Sequence, residues 1–228
     1  MIDIIIPTLF PNSQEGMYYT IEQALKSNAV SNIIIINNSQ DQKIGLDHPK
    51  IKIIYNQKNH YVNASWNQGL ANCNSDLYAI LNDDIYVNSY IFDICEESFE
   101  ADNTLSLLTF EEDSEMEIDA YKNLIHTEPR FSLKIQKHFR FSRSLNGLIG
   151  SFFCGKVNEW RNIPSNLKIW FGDYYIYEKL RSESKKILQC NQIFLHPHQG
   201  TTVKQQSMQE DFKKIKDQDF NEWNKIIL

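Results

Sequence analysis

From Asp76 to Val87 the chain reads Asp-Leu-Tyr-Ala-Ile-Leu-Asn-Asp-Asp-Ile-Tyr-Val, a short apolar run that stops abruptly at Asn82, Asp83 and Asp84. Leu77 to Leu81 has the unbroken apolar character of a strand buried on both faces, as in a mainly parallel sheet flanked by helices. In such sheets, ligands bind at the edge beyond the carboxyl ends of the strands. Two adjacent acids there repel each other, so a cation or a donor-rich ligand relieves the cost of ionising both. The pattern points to an α/β fold with a divalent cation at the acidic pair, holding a diphosphate.

Other segments supply strands that end in the same way. Ile2 to Ile6 is a β-rich run stopped by Pro7 and Thr8, Ile33 to Ile36 ends in Asn37-Asn38-Ser39, and Ile51 to Tyr55 ends in Asn56. Helical spacing appears between them, with Met17, Ile21, Ala24 and Leu25 inside Gln14–Ser27 and a second helix from Tyr61 to Asn72. That second helix stacks Asn59, Asn63 and Asn67 in one column, with Asn59 also placed to cap it. The column suits either a solvated face or the wall of a site. Beyond the acidic strand, a helix over Ser89–Ala101 and a strand over Leu105–Phe110 are predicted.

Composition then changes. Residues 111–146 begin with an acidic run, Glu111 to Asp119, and continue into Lys134, Lys137 and Arg140 mixed with Phe131, Phe139 and Phe141. The stretch reads as an insertion or mobile loop over the site, either solvated and packed or in contact with a phosphate-bearing or lipid-linked acceptor. Leu145 to Cys154, with Gly147 and Gly150, reads as a strand approached closely by another group. Asp173 opens a helix over Tyr174–Arg181, where an Asp is ordinarily a cap. Short strands at Lys186–Cys190 and Ile193–Leu195 precede His196-Pro-His198, and residues 206–228 form an amphipathic C-terminal helix.

With 228 residues, 42% of them hydrophobic, the chain suits one substantial core, so a single domain over 1–228 is expected, divided into a ligand-binding half (1–100) and an acceptor-side half (101–205). The net charge of −6 argues against a nucleic-acid partner. Met1 to Pro7 has no basic leader and too short an apolar run for a secretory signal, and no later run reaches a membrane span. A cytoplasmic protein is expected, with peripheral contact to the inner membrane face as one setting. Cys73, Cys95, Cys154 and Cys190 are scattered, which suits reduced thiols.

Neither a Gly-x-Gly-x-x-Gly after the first strand nor a P-loop is present, so phosphates need another counter-charge. Asp83 and Asp84 supply it indirectly by holding a cation. Carboxylate oxygens with an imidazole from His198 suit Mn²⁺ or Mg²⁺, although a lone His is also a common structural residue.

Taken in order, Ile-Ile-Ile-Pro7-Thr8, Asn37-Asn38-Ser39, Asn59 to Gly69 and Leu81-Asn-Asp-Asp84 resemble the nucleotide-binding half of family 2 glycosyltransferases with the GT-A fold. Relatives commonly read Asn-x-Gly-Phe-Ala-x-Ala-x-Asn-x-Gly before the acidic strand; Asn59, Asn67 and Gly69 fall on that pattern, with Val62 and Ser65 as similar residues. The acidic triplet resembles the Asp-x-Asp motif. Gly172-Asp173-Tyr-Tyr resembles the segment of the acceptor base, and His198-Gln-Gly-Thr-Thr the late His of the metal site. Three features depart from the pattern: Asn37 replaces an Asp, Tyr61 replaces a Gly, and Asp173 lacks the customary doubled acid.

The resemblance implies a GT-A-like domain acting as a metal-dependent, inverting glycosyltransferase with a nucleotide-sugar donor, UDP-linked, and a saccharide or lipid-linked acceptor. Cell-surface polysaccharide or glycolipid assembly would be its setting. Pro7, Thr8, Asn37 and Asn38 would line the base and ribose pocket, with Asn59 and Asn67 at its border. Asn82 and Asp83 would approach ribose and sugar, Asp84 and His198 would hold Mn²⁺ or Mg²⁺, and Asp173 would be the general base. The alternatives are a degenerate nucleotide- or sugar-binding module and a sugar-phosphate nucleotidyltransferase. The latter would favour a Gly-rich, cationic loop after the first strand, and Pro7 to Gly16 has neither Lys nor Arg.

Overall fold

Alternation along the strands builds two cores from one sheet, because successive side chains point to opposite faces. In β1 (Ile2–Thr8) and β4 (Leu77–Leu81), Ile4, Ile6, Ala79 and Leu81 pack with Met17 and Ile21 of α1 (Glu15–Lys26) and Phe92 and Phe99 of α3 (Ser89–Ala101). The alternate residues Ile5, Tyr78 and Ile80 pack on the opposite face. Their partners are Trp66 of α2 (Tyr61–Leu70), Tyr174 and Tyr177 of α5 (Gly172–Ser182), and Trp223 of α6 (Gln206–Ile227). Each such buried aliphatic side chain stabilises the fold by about 1.5–3 kcal/mol relative to exposure. The computed structural model describes residues 1–124, 129–133, 150–197 and 206–227.

The other strands are β2 (Val30–Asn37), β3 (Ile51–Tyr55), β5 (Leu105–Asp113), β6 (Phe131–Leu133), β7 (Phe152–Lys156) and β8 (Lys186–Leu195), and a short α4 (Ile118–Lys122) follows β5. Among the described residues they form one mixed sheet in the order β3-β2-β1-β4-β7-β5-β8-β6. β1, β2, β3 and β4 pair in parallel, and β7 is antiparallel to both β4 and β5. β5 is parallel to β8, and β6 antiparallel to it. The carboxyl ends of β1, β2, β4, β5 and β8 therefore share one edge with the start of β7.

Several element boundaries differ from the sequence expectation. β5 runs on through Glu111, Glu112 and Asp113, which pair with Ile193, Phe194 and Leu195, so the head of the presumed insertion is strand. Sheet pairing overrides the low strand preference of acidic residues there. The two short strands expected after Lys186 are one strand, with an irregularity opposite Thr109/Glu111. Phe171, in a left-handed conformation, is the cap of α5, and Asp173 is that helix's second residue. Gly147, Lys134, Lys137, Arg140, Phe139 and Phe141 lie outside the described residues.

α2 lies directly on β1: a Cβ at Gly69 would stand 2.3 Å from Ile5 Cγ2. Gly69→Ala is therefore expected to cost about 1–3 kcal/mol in urea unfolding. Gly45→Ala, with nothing within 4 Å, serves as the control and is expected to leave stability nearly unchanged.

Candidate active site

The shared edge opens into a cleft of about 630 Å³. Pro7, Thr8, Asn38, Asn59, Asn82, Asp83, Asp84 and Asp173 all line it, so most of the residues singled out from sequence come together. Asn37 and Asn67 do not line it. Asn37 is buried, donating to Gln42 O at 2.7 Å and accepting from Ser39 N at 2.8 Å, which shapes the turn after β2. Asn67 donates to Ile163 O at 2.9 Å and accepts from Trp160 Nε1 and Ile163 N at 3.1 and 3.0 Å. Asn63 and Asn67 of the amide column thus clamp the segment before α5, whereas Asn59 stays at the cleft. His198 lies outside the described residues.

The acidic turn is held from four sides. Thr8 Oγ1 donates to Asp83 Oδ2 at 2.6 Å. From α1, Thr20 Oγ1 donates to Ile85 O at 2.9 Å and accepts from Val87 N at 3.0 Å. Asn82 N donates to Ser151 O at 2.8 Å, and Tyr86 exchanges backbone hydrogen bonds with Leu195 at 2.8 and 3.0 Å. That last bridge delivers His196, the next residue, to Asp84, with Nε2 and Oδ1 3.3 Å apart. Glu112 Oε1 stands 3.2 Å from the other ring nitrogen, Nδ1. Glu112 reaches the ring because β5 runs on past Phe110; continuing its period-2 pattern there is the sequence signal that would have found it.

Electrostatics separate these groups. Burial, reinforced by the Asp84 charge, pushes Asp83 up to about 7, against the opposing hydrogen bonds of Thr8 and backbone amides. Burial disfavours a charged His196, but the Asp84 and Glu112 carboxylates overcome it and raise its pKa to about 10. The imidazolium supplies positive charge beside the acids. Across the cleft, burial pushes Asp173 up to about 6, against backbone N–H groups at the start of α5. A Cβ on Gly150 would meet Asp173 Oδ2 at 3.2 Å, so a glycine leaves room for that carboxyl.

The side of the cleft that carries Asp173 is aromatic, with Trp66, Trp170, Phe171 and Tyr174, and α6 adds Phe212 and Lys216. Tyr61 has φ 64°, in the left-handed region that glycine occupies without strain. That explains a glycine as the usual residue there. Asn59 Oδ1 secures the turn by accepting from Tyr61 N at 2.8 Å.

The model for glycosyl transferase family 2 matches residues 3–158, more than half of the chain. The chain belongs to glycosyl transferase family 2. No curated protein sequence matches it. Among solved structures, S. aureus TarS (1–349) is 12% identical with a TM-score of 0.58, over 87% of this chain and 58% of that one. GalNAc-T7 with UDP, GalNAc and Mn²⁺ is 12% identical with a TM-score of 0.63, over 87% and 44% of the two chains. This family 2 chain thus spans less than two thirds of either solved chain, and the likeness establishes the GT-A fold. Among the described residues, no helix is long and apolar enough to cross a membrane.

The Asp173 shift has a consequence for stability. With its pKa near 6 when folded against 3.8 ordinarily, the carboxyl binds its proton more tightly in the fold, so stability falls as pH rises from about 4 to about 6 and stays lower above. Asp173→Asn lacks that penalty. It is expected to be more stable than the parent by about 1–3 kcal/mol at pH 8, with the difference vanishing near pH 4 in thermal melts.

Proposed function

We propose that the chain is a metal-dependent, inverting glycosyltransferase that moves a sugar from a UDP-linked donor to an acceptor hydroxyl. One observation carries the reading: an acidic pair at the end of β4 and a separate carboxyl, Asp173, line the same cleft, one suited to a diphosphate's cation and the other to a proton. The GalNAc-T7 structure, which holds UDP, GalNAc and Mn²⁺ on this fold, supports the donor class. Saccharide and lipid-linked acceptors of cell-surface polysaccharide or glycolipid assembly suit the aromatic side of the cleft.

The donor set fits a divalent cation. Asp84 offers a hard carboxylate oxygen suited to Mn²⁺ or Mg²⁺, and the cationic His196 ring beside it would have to give up its proton to act as a ligand. Among the described residues no three His, Cys, Asp or Glu side chains are grouped to hold a metal ion, so substrate phosphates and water would have to complete the shell. Asp84 would hold the cation together with His198, the imidazole that the family resemblance implies. When bound, the cation neutralises charge on the departing diphosphate.

The chain's own groups then do the rest. Pro7, Thr8, Asn38 and Asn59 border the nucleotide, while Asn82 and Asp83 meet ribose and sugar. Asp173 accepts the acceptor hydroxyl's proton as that oxygen forms a bond to the anomeric carbon. The bond to the diphosphate breaks on the opposite face, its electron pair leaves with the diphosphate, and the configuration inverts. The transition state resembles an oxocarbenium ion, so fixed negative charge near the sugar is useful.

Turnover of UDP-sugars with Mn²⁺, including slow hydrolysis, tests this. Asp84→Asn is expected to lose metal-dependent donor binding, whereas Asp173→Asn keeps it and lowers transfer about 10²- to 10⁴-fold. Activity of the parent should fall as pH drops through about 6, since a protonated Asp173 cannot take the proton. Normal transfer by Asp173→Asn would remove its role, and donor binding equal with and without metal would remove that of Asp84. Nucleotide binding with no turnover at all would favour a degenerate binding module.

A further inference from the structure

Asp219 lies in α6, three residues beyond Lys216 of the cleft lining, and its side chain is fully buried. Its carboxylate accepts three successive backbone amides: Lys168 N at 3.0 Å, Ile169 N at 2.8 Å and Trp170 N at 2.9 Å. From the opposite side, Asn63 of α2 donates its side-chain amide to Leu167 O and Trp170 O at 3.2 and 3.3 Å, and its backbone N–H to Lys168 O at 3.1 Å. Two side chains on different helices therefore grip one short segment. The next residue, Phe171, is the left-handed cap of α5, and its ring stacks on Trp223, one turn beyond Asp219, with centroids 5.8 Å apart and planes at 6°. Asp173 follows two residues later.

We infer that Asp219 is a positioning residue: by accepting the amides of Lys168, Ile169 and Trp170 it fixes the turn from which α5 starts, and with it the place of Asp173 in the cleft. The inference rests on the proposed base role of Asp173. The chemistry requires a carboxylate at 219. An amide offers one acceptor oxygen where three N–H groups converge on two, and it turns an N–H toward donors. Anchoring α6 alone does not call for such a residue, because Ile215 and Trp223 already bury that helix and a buried carboxylate carries a desolvation cost. The benefit falls on the segment it holds. A left-handed aromatic residue persists only where its surroundings over-determine it, and Asp219 with Trp223 supplies that on backbone and ring alike.

The test needs no substrate. In the full chain, amide hydrogen exchange at residues 168–170 and a carboxyl-carbon NMR titration of Asp173 are compared between parent and Asp219→Asn. Tyr174, on the same helix, is the titratable neighbour of Asp173, and Gly150 faces it with no side chain. Exchange at the three amides should quicken about tenfold or more. The Asp173 midpoint should fall from about 6 toward the ordinary carboxylate range, because burial is the largest cause of its elevation and the loosened turn releases it. Asp219→Glu, which keeps the charge, should restore part of both, and it carries the test if the Asn variant does not fold. An unchanged Asp173 midpoint overturns the inference, even with faster exchange, because Asp219 would then only anchor α6. Normal transfer by Asp173→Asn would defeat the base reading alone and leave these two readouts to decide whether Asp219 places that carboxyl.

Discussion

Like charge at a strand end is the constraint around which the molecule is arranged. Asp83, Asp84, Glu112 and Asp173 line one cleft, and His196 and Lys216 are the cationic groups among its described lining. A diphosphate entering such a surface meets repulsion unless positive charge comes with it. Strand order concentrates the acids: β4 brings Asp83 and Asp84, β5 brings Glu112, and the end of β8 brings the His196 imidazole, all at the same edge. The proposed cation follows from that distribution, and the aromatic side of the cleft, which also carries Asp173 and Lys216, is where the proposed acceptor would displace water.

Buried carboxylates in this fold sort by how many donors they meet. Asp3 accepts from Asn74 N, Ser75 N, Ser75 Oγ and Asn32 Nδ2 at 2.6–3.0 Å, and Asp219 from three amides. Both are saturated and act as structural staples. Asp83 and Asp173 have fewer donors than their burial requires, and their pKa values rise to about 7 and about 6. That unrelieved burial fits the roles proposed for Asp83 and Asp173, and it costs stability that a saturated carboxylate does not.

The parallel half of the fold is legible in sequence because its signals are local. Unbroken Ile runs ending in Pro, Asn or Asp mark β1, β2 and β4, and the 3.6-residue spacing of Met17, Ile21 and Ala24 marks α1. Motif register with family 2 transferases places Thr8, Asn38, Asp83 and Asp84 at the cleft before any contact is known. What escapes the sequence depends on pairing between distant segments. Glu112 joins the site because β8 draws β5 past Phe110, and His196 meets Asp84 because Tyr86 pairs with Leu195. Asn67 has the right period and the right face, but its partner is the backbone at Ile163, ninety-six residues away. Asp219 sits among the alternating acids and lysines of an amphipathic helix, and nothing local distinguishes it from Asp217.

Calorimetric titration with UDP, in Mn²⁺ and again after chelation, addresses the central claim most directly, with GDP and CMP as comparisons. Selective UDP binding that requires Mn²⁺ is expected, since the acidic edge repels a bare diphosphate. Binding of UDP with equal strength in chelator would contradict a cation-bridged diphosphate at Asp84.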